Sequence, residues 1–410
     1  MRFLHTSDWH LGQTLHSFER TYEHQRFLDW LLETIVAERI DALLIAGDVY
    51  DNANPSAASQ KQLYRFLRQA KSAAPHLNIV IIAGNHDSPG RLEAPGPLLE
   101  EHEVSLVGNV QRDADGKIAL ERMVLPMKNR DGAVAAWCLA VPFLRQGDVP
   151  RVDGAADAYA EGIALLYRQV LALALEKRQP GQAIIALGHC HMTGSAQSAD
   201  SERRIVIGGS DALSASMFGP EVAYAALGHL HLAQSVGQQP HLRYCGSPLP
   251  MSFSEIGYRH QVLRFDLDDE RAVDITALPV PRTVDLLRVP ARPAPLDEVL
   301  AALQALPPRS GEHPPYLEVQ VRLDAPEPGL RARVEAALEG RHARLARIDT
   351  SLPARGDDAG ATMSLDQLDK LRPDDIFRRL YRQKFDCDAP DEQLAAFTEL
   401  MLAATDGPRA

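Results

Sequence analysis

The sequence predicts a large layered α/β domain over residues 1–278, a smaller βαβαβ module over 279–352 and a helical tail over 353–410. Three observations predict it. Short apolar runs alternate with amphipathic stretches, the pattern of sheet strands covered on both faces. The early runs end in polar or glycine-bearing turns, on the side where open α/β sheets hold their ligands. A proline-rich passage at Pro279–Pro281 then closes this region, and a simpler strand–helix alternation follows.

Arg2–Thr6, Ala42–Ala46 and Ile79–Ala83 read as central strands because they are short aliphatic runs. Between the first two, Phe27, Leu31 and Ile35, with Leu28, Leu32 and Val36, recur at three and four and predict an amphipathic helix. Further strands are expected at Ala136–Val141, Ala183–Leu187, Arg204–Ile207, Tyr224–Leu227 and Val262–Phe265, and a long helix at Ala158–Glu176. The module then reads Val284–Val289 strand, Leu296–Leu306 helix, Tyr316–Leu323 strand, Leu330–Leu338 helix, Arg344–Ile348 strand. Pro307-Pro308 and Pro314-Pro315 punctuate its loops. Pro353–Thr362, rich in Gly, Asp and Ala, reads as a linker. Two tail helices follow at Asp374–Phe385 and Asp391–Ala404. Ile376, Phe377, Leu380 and Tyr381 form an apolar stripe on the first, and Leu394, Phe397, Leu400 and Met401 one on the second. Helices this short are marginal alone in water, so a surface outside the main domain is expected to cover them; folding back on the main domain is the alternative. After Gly12, Leu15, Phe18 and Tyr22 stand at helical spacing and predict a helical homodimer contact near the N-terminus.

The composition excludes several classes. With 45% hydrophobic and 24% charged residues, the 410-residue chain is neither disordered nor collagen-like. Cys138, Cys190, Cys245 and Cys387 show no CxxC spacing and read as reduced thiols of a cytoplasmic protein. No run reaches the ~18 apolar residues of a membrane span, and the N-terminus lacks a signal-peptide layout, so no membrane is expected. No P-loop motif occurs, so no ATP site is expected in this chain. A net charge of −12 excludes binding of nucleic acid by bulk positive charge. A phosphate-bearing substrate must be drawn in locally, by metal ions or a few arginines. Pro279–Thr350 differs in being neutral, with ten Arg, no Lys and ten Asp plus Glu.

Five motifs rich in metal-binding groups sit at the expected strand ends: Asp8-Trp9-His10, Gly47-Asp48-Val49-Tyr50-Asp51, Gly84-Asn85-His86-Asp87, Gly188-His189 and Gly228-His229-Leu230-His231. Any one of them alone is ordinary: a D-x-H is common, and a GD after a strand is often only a turn. Their joint occurrence in one domain carries the argument. Carboxylate, imidazole and carboxamide together suit borderline-hard divalent ions such as Mn²⁺. Residues at i and i+2 of an extended segment point the same way, so Asp8 with His10, and His229 with His231, are expected to reach one site.

The order D-x-H, GD, GNHD, GH, GHxH resembles the calcineurin-like metallophosphoesterase superfamily. Wider stretches resemble its SbcCD nuclease branch: His5-Thr6-Ser7-Asp8-Trp9-His10-Leu11-Gly12, Ala226-Leu227-Gly228-His229-Leu230-His231 and Tyr244-Cys245-Gly246-Ser247-Pro248. The resemblance implies a β-sandwich flanked by helices, a DNA-facing capping domain at 279–352 and a tail that docks on a coiled-coil ATPase partner. It implies DNA as substrate, cut by exonuclease and endonuclease action at duplex ends and hairpins, and a homodimer that forms a heterotetramer with the ATPase. It implies two Mn²⁺, with Mg²⁺ as a substitute. Asp8, His10 and His231 would hold the first, Asn85, His189 and His229 the second, and Asp48 would bridge them. His86 would be the non-ligand catalyst, oriented by the Asp51 carboxylate; Asp51 also reads as a plain turn aspartate. A phosphatase or small-molecule phosphodiesterase on the same scaffold is the alternative.

Other residues are set aside. His191 reads as a loop residue, Cys190 as pointing away from the metals, His5 as a core histidine and Trp9 as packing. Ser88 and Arg91 fit either a phosphate contact or a solvated helix start.

Overall fold

The computed structural model describes residues 1–99, 102–198, 202, 212–325 and 327–351, and in the tail 377, 378, 381, 382, 390, 393, 394 and 397. Met1–Ser351 and Leu352–Ala410 are separate compact units.

Two six-stranded sheets face each other in the first unit. In one, β1 (Arg2–Thr6), β4 (Ala42–Ala46), β5 (Asn78–Ile82) and β6 (Val104–Val107) run parallel, and β13 (Gln261–Asp268) and β14 (Arg271–Pro279) close the β1 edge antiparallel. In the other, β8 (Val134–Ala140), β9 (Ala183–His189), β10 (Val222–Gly228) and β12 (Gln239–Tyr244) run parallel. There β7 (Val124–Lys128) and β11 (Gln234–Val236) form antiparallel edges. The expected strand at 204–207 lies outside the described residues.

Side-chain alternation builds the layers, because a strand turns successive residues to opposite faces. Phe3, Leu44, Val80 and Ile82 face the second sheet and join Leu139, Ile185 and Leu227 in one core, which also takes in α5 (Ala158–Lys177). Leu4, Leu43, Ile45, Ile79 and Ile81 face outward under α1 (Thr21–Ala37) and α2 (Ala57–Ala73). Phe27, Leu28, Leu31 and Ile35 are buried there as expected, but Val36 is exposed. Its neighbour Ile35 already occupies the face toward the sheet. Burial of each such side chain is worth ~1.5–3 kcal/mol. On α2, Leu63, Phe66 and Leu67 are buried, and the Ser56 hydroxyl caps the helix by accepting from Ser59 N–H. The short helices α3 (Pro89–Glu93) and α4 (Gly96–Leu99) follow β5.

The smaller sheet is parallel throughout: β15 (Leu286–Pro295), β16 (Tyr316–Arg322) and β17 (Arg344–Ser351). With α6 (Leu296–Gln304) and α7 (Leu330–Ala337) it completes the βαβαβ order, around Val299, Leu303, Leu317, Val319, Val321 and Val334.

One expectation is overturned. The stretch after Gly12 is a hairpin, β2 (Thr14–Leu15) against β3 (Phe18–Glu19), and Tyr22 belongs to the following helix. His16 takes a left-handed φ of 54°, which breaks any helix there. Leu15 packs with Phe253, Val284, Leu286 and Tyr316, so its apolar surface is consumed within the chain at the seam with the smaller sheet. In the second unit, Phe377 stacks on Phe397 with ring centroids 4.5 Å apart, so the two stripes touch each other. The linker at 353–362 and Ile376, Leu380, Leu400 and Met401 lie outside the described residues.

Candidate metal centre

Loops at the ends of β1, β4, β5, β9 and β10 meet at one edge of the sandwich. The β1 loop is zipped onto the β4 loop by Asp8 N–H to Gly47 carbonyl (3.0 Å), His10 N–H to Asp48 carbonyl (3.0 Å) and Leu11 N–H to Val49 carbonyl (2.9 Å). It is joined to the second sheet by His229 N–H, which donates to Asp8 Oδ1 at 3.0 Å. A Cβ at Gly84 would overlap the Asp48 carboxylate, and one at Gly228 would overlap the Ala46 carbonyl, so only glycine allows these loops to close.

Asp8, His10 and His231 offer ligand atoms within 4.8 Å of one another, as do Asp8, Asp48 and His189, and His10, Asp48 and His86. His189 Nε2 lies 2.9 Å from Asn85 Oδ1 and 3.3 Å from Asp48 Oδ2, and His229 Nδ1 lies 3.2 Å from the same Asn85 oxygen. On the other side of Asp48 Oδ2, His10 Nε2 stands at 3.7 Å. Asp48 thus lies between the His10–His231 pair, rings 5.3 Å apart, and the His189–His229 pair, rings 5.5 Å apart. All seven candidate ligands are brought together.

They do not converge as residues of extended strands. Asp8, His10, Asp48 and His229 have φ of 55°, 46°, 48° and 102°. Non-glycine residues in this region cost roughly 1–3 kcal/mol each and persist where the surroundings over-determine them. The i, i+2 pairs therefore meet in one cluster, but not by the extended-strand geometry expected of them.

The electrostatics suit cations. Burial alone would raise the Asp48 carboxyl, but His189, His10 and His86 hold it well below the usual carboxylate range. Asp8 moves the other way: burial raises it against the pull of His189, His231 and His10. Burial opposes protonation of His189 and His231, yet Asp48 lifts the first to about 9 and Glu255 lifts the second to about 9. His229 is pushed down by burial and by His189. Both ring nitrogens of His10, and Nε2 of His229, are buried with no hydrogen-bond partner among the described residues. A desolvated imidazole nitrogen without a partner costs free energy, and a divalent ion supplies what it lacks. The donor set fits such an ion.

His86 is half-buried beside the ligands, its ring 4.8 Å from that of His10. Its N–H donates to Asp48 Oδ1 at 2.8 Å, and its Nδ1 lies 2.7 Å from the Asp51 backbone carbonyl. A carbonyl only accepts, so Nδ1 carries the proton. The Asp51 main chain thus meets His86, and Asp51 Oδ1 stands 3.6 Å from His10 Nδ1.

Two buried acids, Asp87 and Glu255, and the half-buried Glu202 were not anticipated. Asp87 accepts from the N–H groups of Gly84 (2.9 Å), Val49 (3.1 Å) and Tyr50 (2.9 Å), pinning the GNHD turn to the GD turn. Its position in GNHD was the available signal. Glu255 stands 2.8 Å from His231 Nδ1, and Glu202 accepts from His231 N–H at 2.7 Å. Neither lies in a motif.

The residues set aside behave as packing or loop groups. His5 Nδ1 meets Tyr224 Oη at 3.0 Å in the core, where burial drops its pKa to about 3. Trp9 is fully buried, donates to Thr6 Oγ1 at 2.8 Å, and meets Phe27 and Phe66 edge to face. His191 Nδ1 lies 3.2 Å from Gln197 Nε2. Arg91 is exposed on the short helix that Ser88 opens.

Residues 1–233 match the family model for calcineurin-like phosphoesterases, and 282–385 match that of the type 5 capsule protein repressor C-terminal domain. The chain is 41% identical over 384 residues to the SbcD subunit of the SbcCD nuclease of Rhodobacter capsulatus, covering 92% of this chain and 93% of that one. It is 33% identical over 398 residues to the SbcD protein of Escherichia coli K12, covering 94% of each. The SbcD protein of Bacillus subtilis is 36% identical over 275 residues, covering 65% of this chain and 66% of that one. On these matches, which span both the sandwich and the smaller sheet, the chain belongs to the SbcD family of calcineurin-like phosphoesterases.

Proposed function

We propose that this chain is the metal-dependent nuclease subunit of an SbcCD-type complex, hydrolysing DNA phosphodiester bonds as an exonuclease and endonuclease at duplex ends and hairpins. The observation that carries the reading is the placement of Asp48 between two histidine pairs. Asp8, His10 and His231 are the residues for one Mn²⁺ and Asn85, His189 and His229 those for the other, with Asp48 shared; Mg²⁺ is the substitute. Two such ions supply a hydroxide nucleophile and neutralise charge on the phosphoryl oxygens.

The chain's own residues do the rest. His189 Nδ1 donates to the Ala46 carbonyl at 2.9 Å, which turns Nε2 toward Asp48 and Asn85 as the atom that would bind the ion in place of its proton. With Nδ1 of His86 committed to the Asp51 carbonyl, Nε2 is the atom that holds or delivers a proton at the leaving oxygen. Asp51 is the residue that orients His86 in this reading.

Residues 1–278 form the nuclease domain and 279–352 the capping domain that faces DNA. The 353–410 tail docks on the base of the coiled coil of an SbcC-type ATPase, in a heterotetramer built on a homodimer in the cytoplasm. The test is to purify the full chain with and without its ATPase and assay plasmid and hairpin DNA against nitrophenyl phosphate, with and without Mn²⁺ and ATP. Mn²⁺-dependent DNA cleavage is expected. Turnover of nitrophenyl phosphate without DNA cleavage in either preparation would instead make it a phosphatase.

A further inference from the structure

Arg20, at the start of α1, is 1% exposed and makes four hydrogen bonds. Its Nε and Nη2 donate to the Glu23 carboxylate at 3.1 and 2.7 Å, and its Nη1 donates to Gln13 Oε1 and to the Pro250 carbonyl, each at 2.7 Å. These contacts gather two loops that serve the metal centre. Gln13 N–H donates to the His10 carbonyl at 2.9 Å, and Gln13 Nε2 donates to the Met251 carbonyl at 3.1 Å. Met251 N–H in turn donates to Glu255 Oε2 at 2.8 Å, and the other oxygen of that carboxylate meets His231 Nδ1. A short chain of contacts thus runs from Arg20 to His10 and to His231.

The same ion pair reaches the smaller sheet. Tyr316 on β16 donates its hydroxyl proton to Glu23 Oε1 at 2.8 Å, and the Arg344 guanidinium lies 4.1 Å above the Tyr316 ring. Leu15, Phe253, Val284 and Leu286 enclose this joint in apolar surface. A buried ion pair adds little net stability over apolar residues of the same volume, because both charges lose their hydration. What the guanidinium supplies is geometry: a planar fork that fixes several partners at once, which neither lysine nor an aliphatic group reproduces.

We propose that Arg20 is a positioning residue for the metal centre, and that the Glu23–Tyr316 contact transmits the placement of the smaller sheet to His10 and His231. The proposal rests on the reading of those two histidines as ligands of one ion.

The test measures Mn²⁺ affinity of the full chain by calorimetry and by Mn²⁺ electron paramagnetic resonance, alongside thermal midpoint and kcat. Tyr316→Phe removes one hydroxyl and keeps the ring; Gln13→Ala removes the opposite end of the chain of contacts. Each is expected to weaken Mn²⁺ binding several-fold, and Arg20→Lys on the order of tenfold, the scale of outer-shell changes at metal sites. Tyr316 and Gln13 are joined through Glu23 and Arg20, so the double variant should lose less than the product of the single losses. Should Arg20→Lys fail to fold, the other three variants carry the test. A lower thermal midpoint with unchanged Mn²⁺ affinity, or a double variant whose losses simply multiply, overturns the proposal and leaves the metal site standing. Absence of Mn²⁺ binding by the unmodified chain overturns the site reading itself, and the proposal with it.

Discussion

Glu255 Oε1 lies 2.8 Å from His231 Nδ1, and both residues are buried. The carboxylate holds the proton on Nδ1, so Nε2 is the atom that would exchange its proton for a metal in the proposed reading. It also raises ligand basicity, as acids behind metal-bound imidazoles do. Glu255→Gln keeps the shape and removes the charge. Calorimetric titration should show Mn²⁺ affinity reduced ~10–100-fold, and an unchanged affinity would remove Glu255 from the site.

Asp48→Ala should abolish nuclease activity and release at least one ion, because the shared anion between the His10 and His189 sides is gone. Metal analysis of the purified variant checks this. Wild-type turnover would refute the bridging role.

His86→Ala should retain both ions and lose ~10²–10⁴-fold in rate, the usual worth of a general acid or oxyanion partner. Metal content that falls in parallel with rate would make His86 a ligand instead.

The metal-free protein should lose stability between about pH 6.5 and about pH 9. His189 and His231 have ordinary values of 6.5 and are lifted to about 9 in the fold by Asp48 and Glu255, against burial. A group that binds its proton more tightly when folded contributes fully below its unfolded pKa and loses that contribution as pH rises through the folded one. Melting of chelator-treated protein across this window should show a falling midpoint. Mn²⁺ should flatten the fall, since metal binding displaces the same protons. A midpoint that rises across the window would contradict the assignment.

Truncation after Ser351 should leave Mn²⁺-dependent cleavage of single-stranded DNA largely intact and abolish ATPase association and ATP stimulation. The cut belongs there because β17 runs to Ser351, whose carbonyl accepts from Leu323 N–H at 2.9 Å. Co-purification of the truncated chain with the ATPase at wild-type ratio would show that the tail is not the docking element.

The candidate ligands were legible in the sequence because each belongs to a local unit: an apolar strand with Asp8, Asp48, Asn85, His189 or His229 at its end or just beyond it. A strand end and a glycine are short-range features, and the periodicity of Phe27, Leu31 and Ile35 is equally local. By itself, then, the sequence determined the strand order of the motifs, the donor types gathered at the strand ends and the βαβαβ order of the smaller sheet.

What the tertiary structure alone decided concerns partners far apart in the chain. Leu15, Phe18 and Tyr22 match a helical period, yet the chain turns at His16 because Leu15 gains more by packing on Phe253, Leu286 and Tyr316. Glu255 finds His231 across 24 positions, and Tyr316 finds Glu23 across 293. The left-handed backbone at Asp8, His10, Asp48 and His229 exists only because loops from both sheets hold it there. Period and turn chemistry act over a few residues and leave a mark in the sequence. The choice of a buried carboxylate's partner is made by desolvation once the whole chain has folded, and nothing near Glu255 or Tyr316 in the sequence announces it.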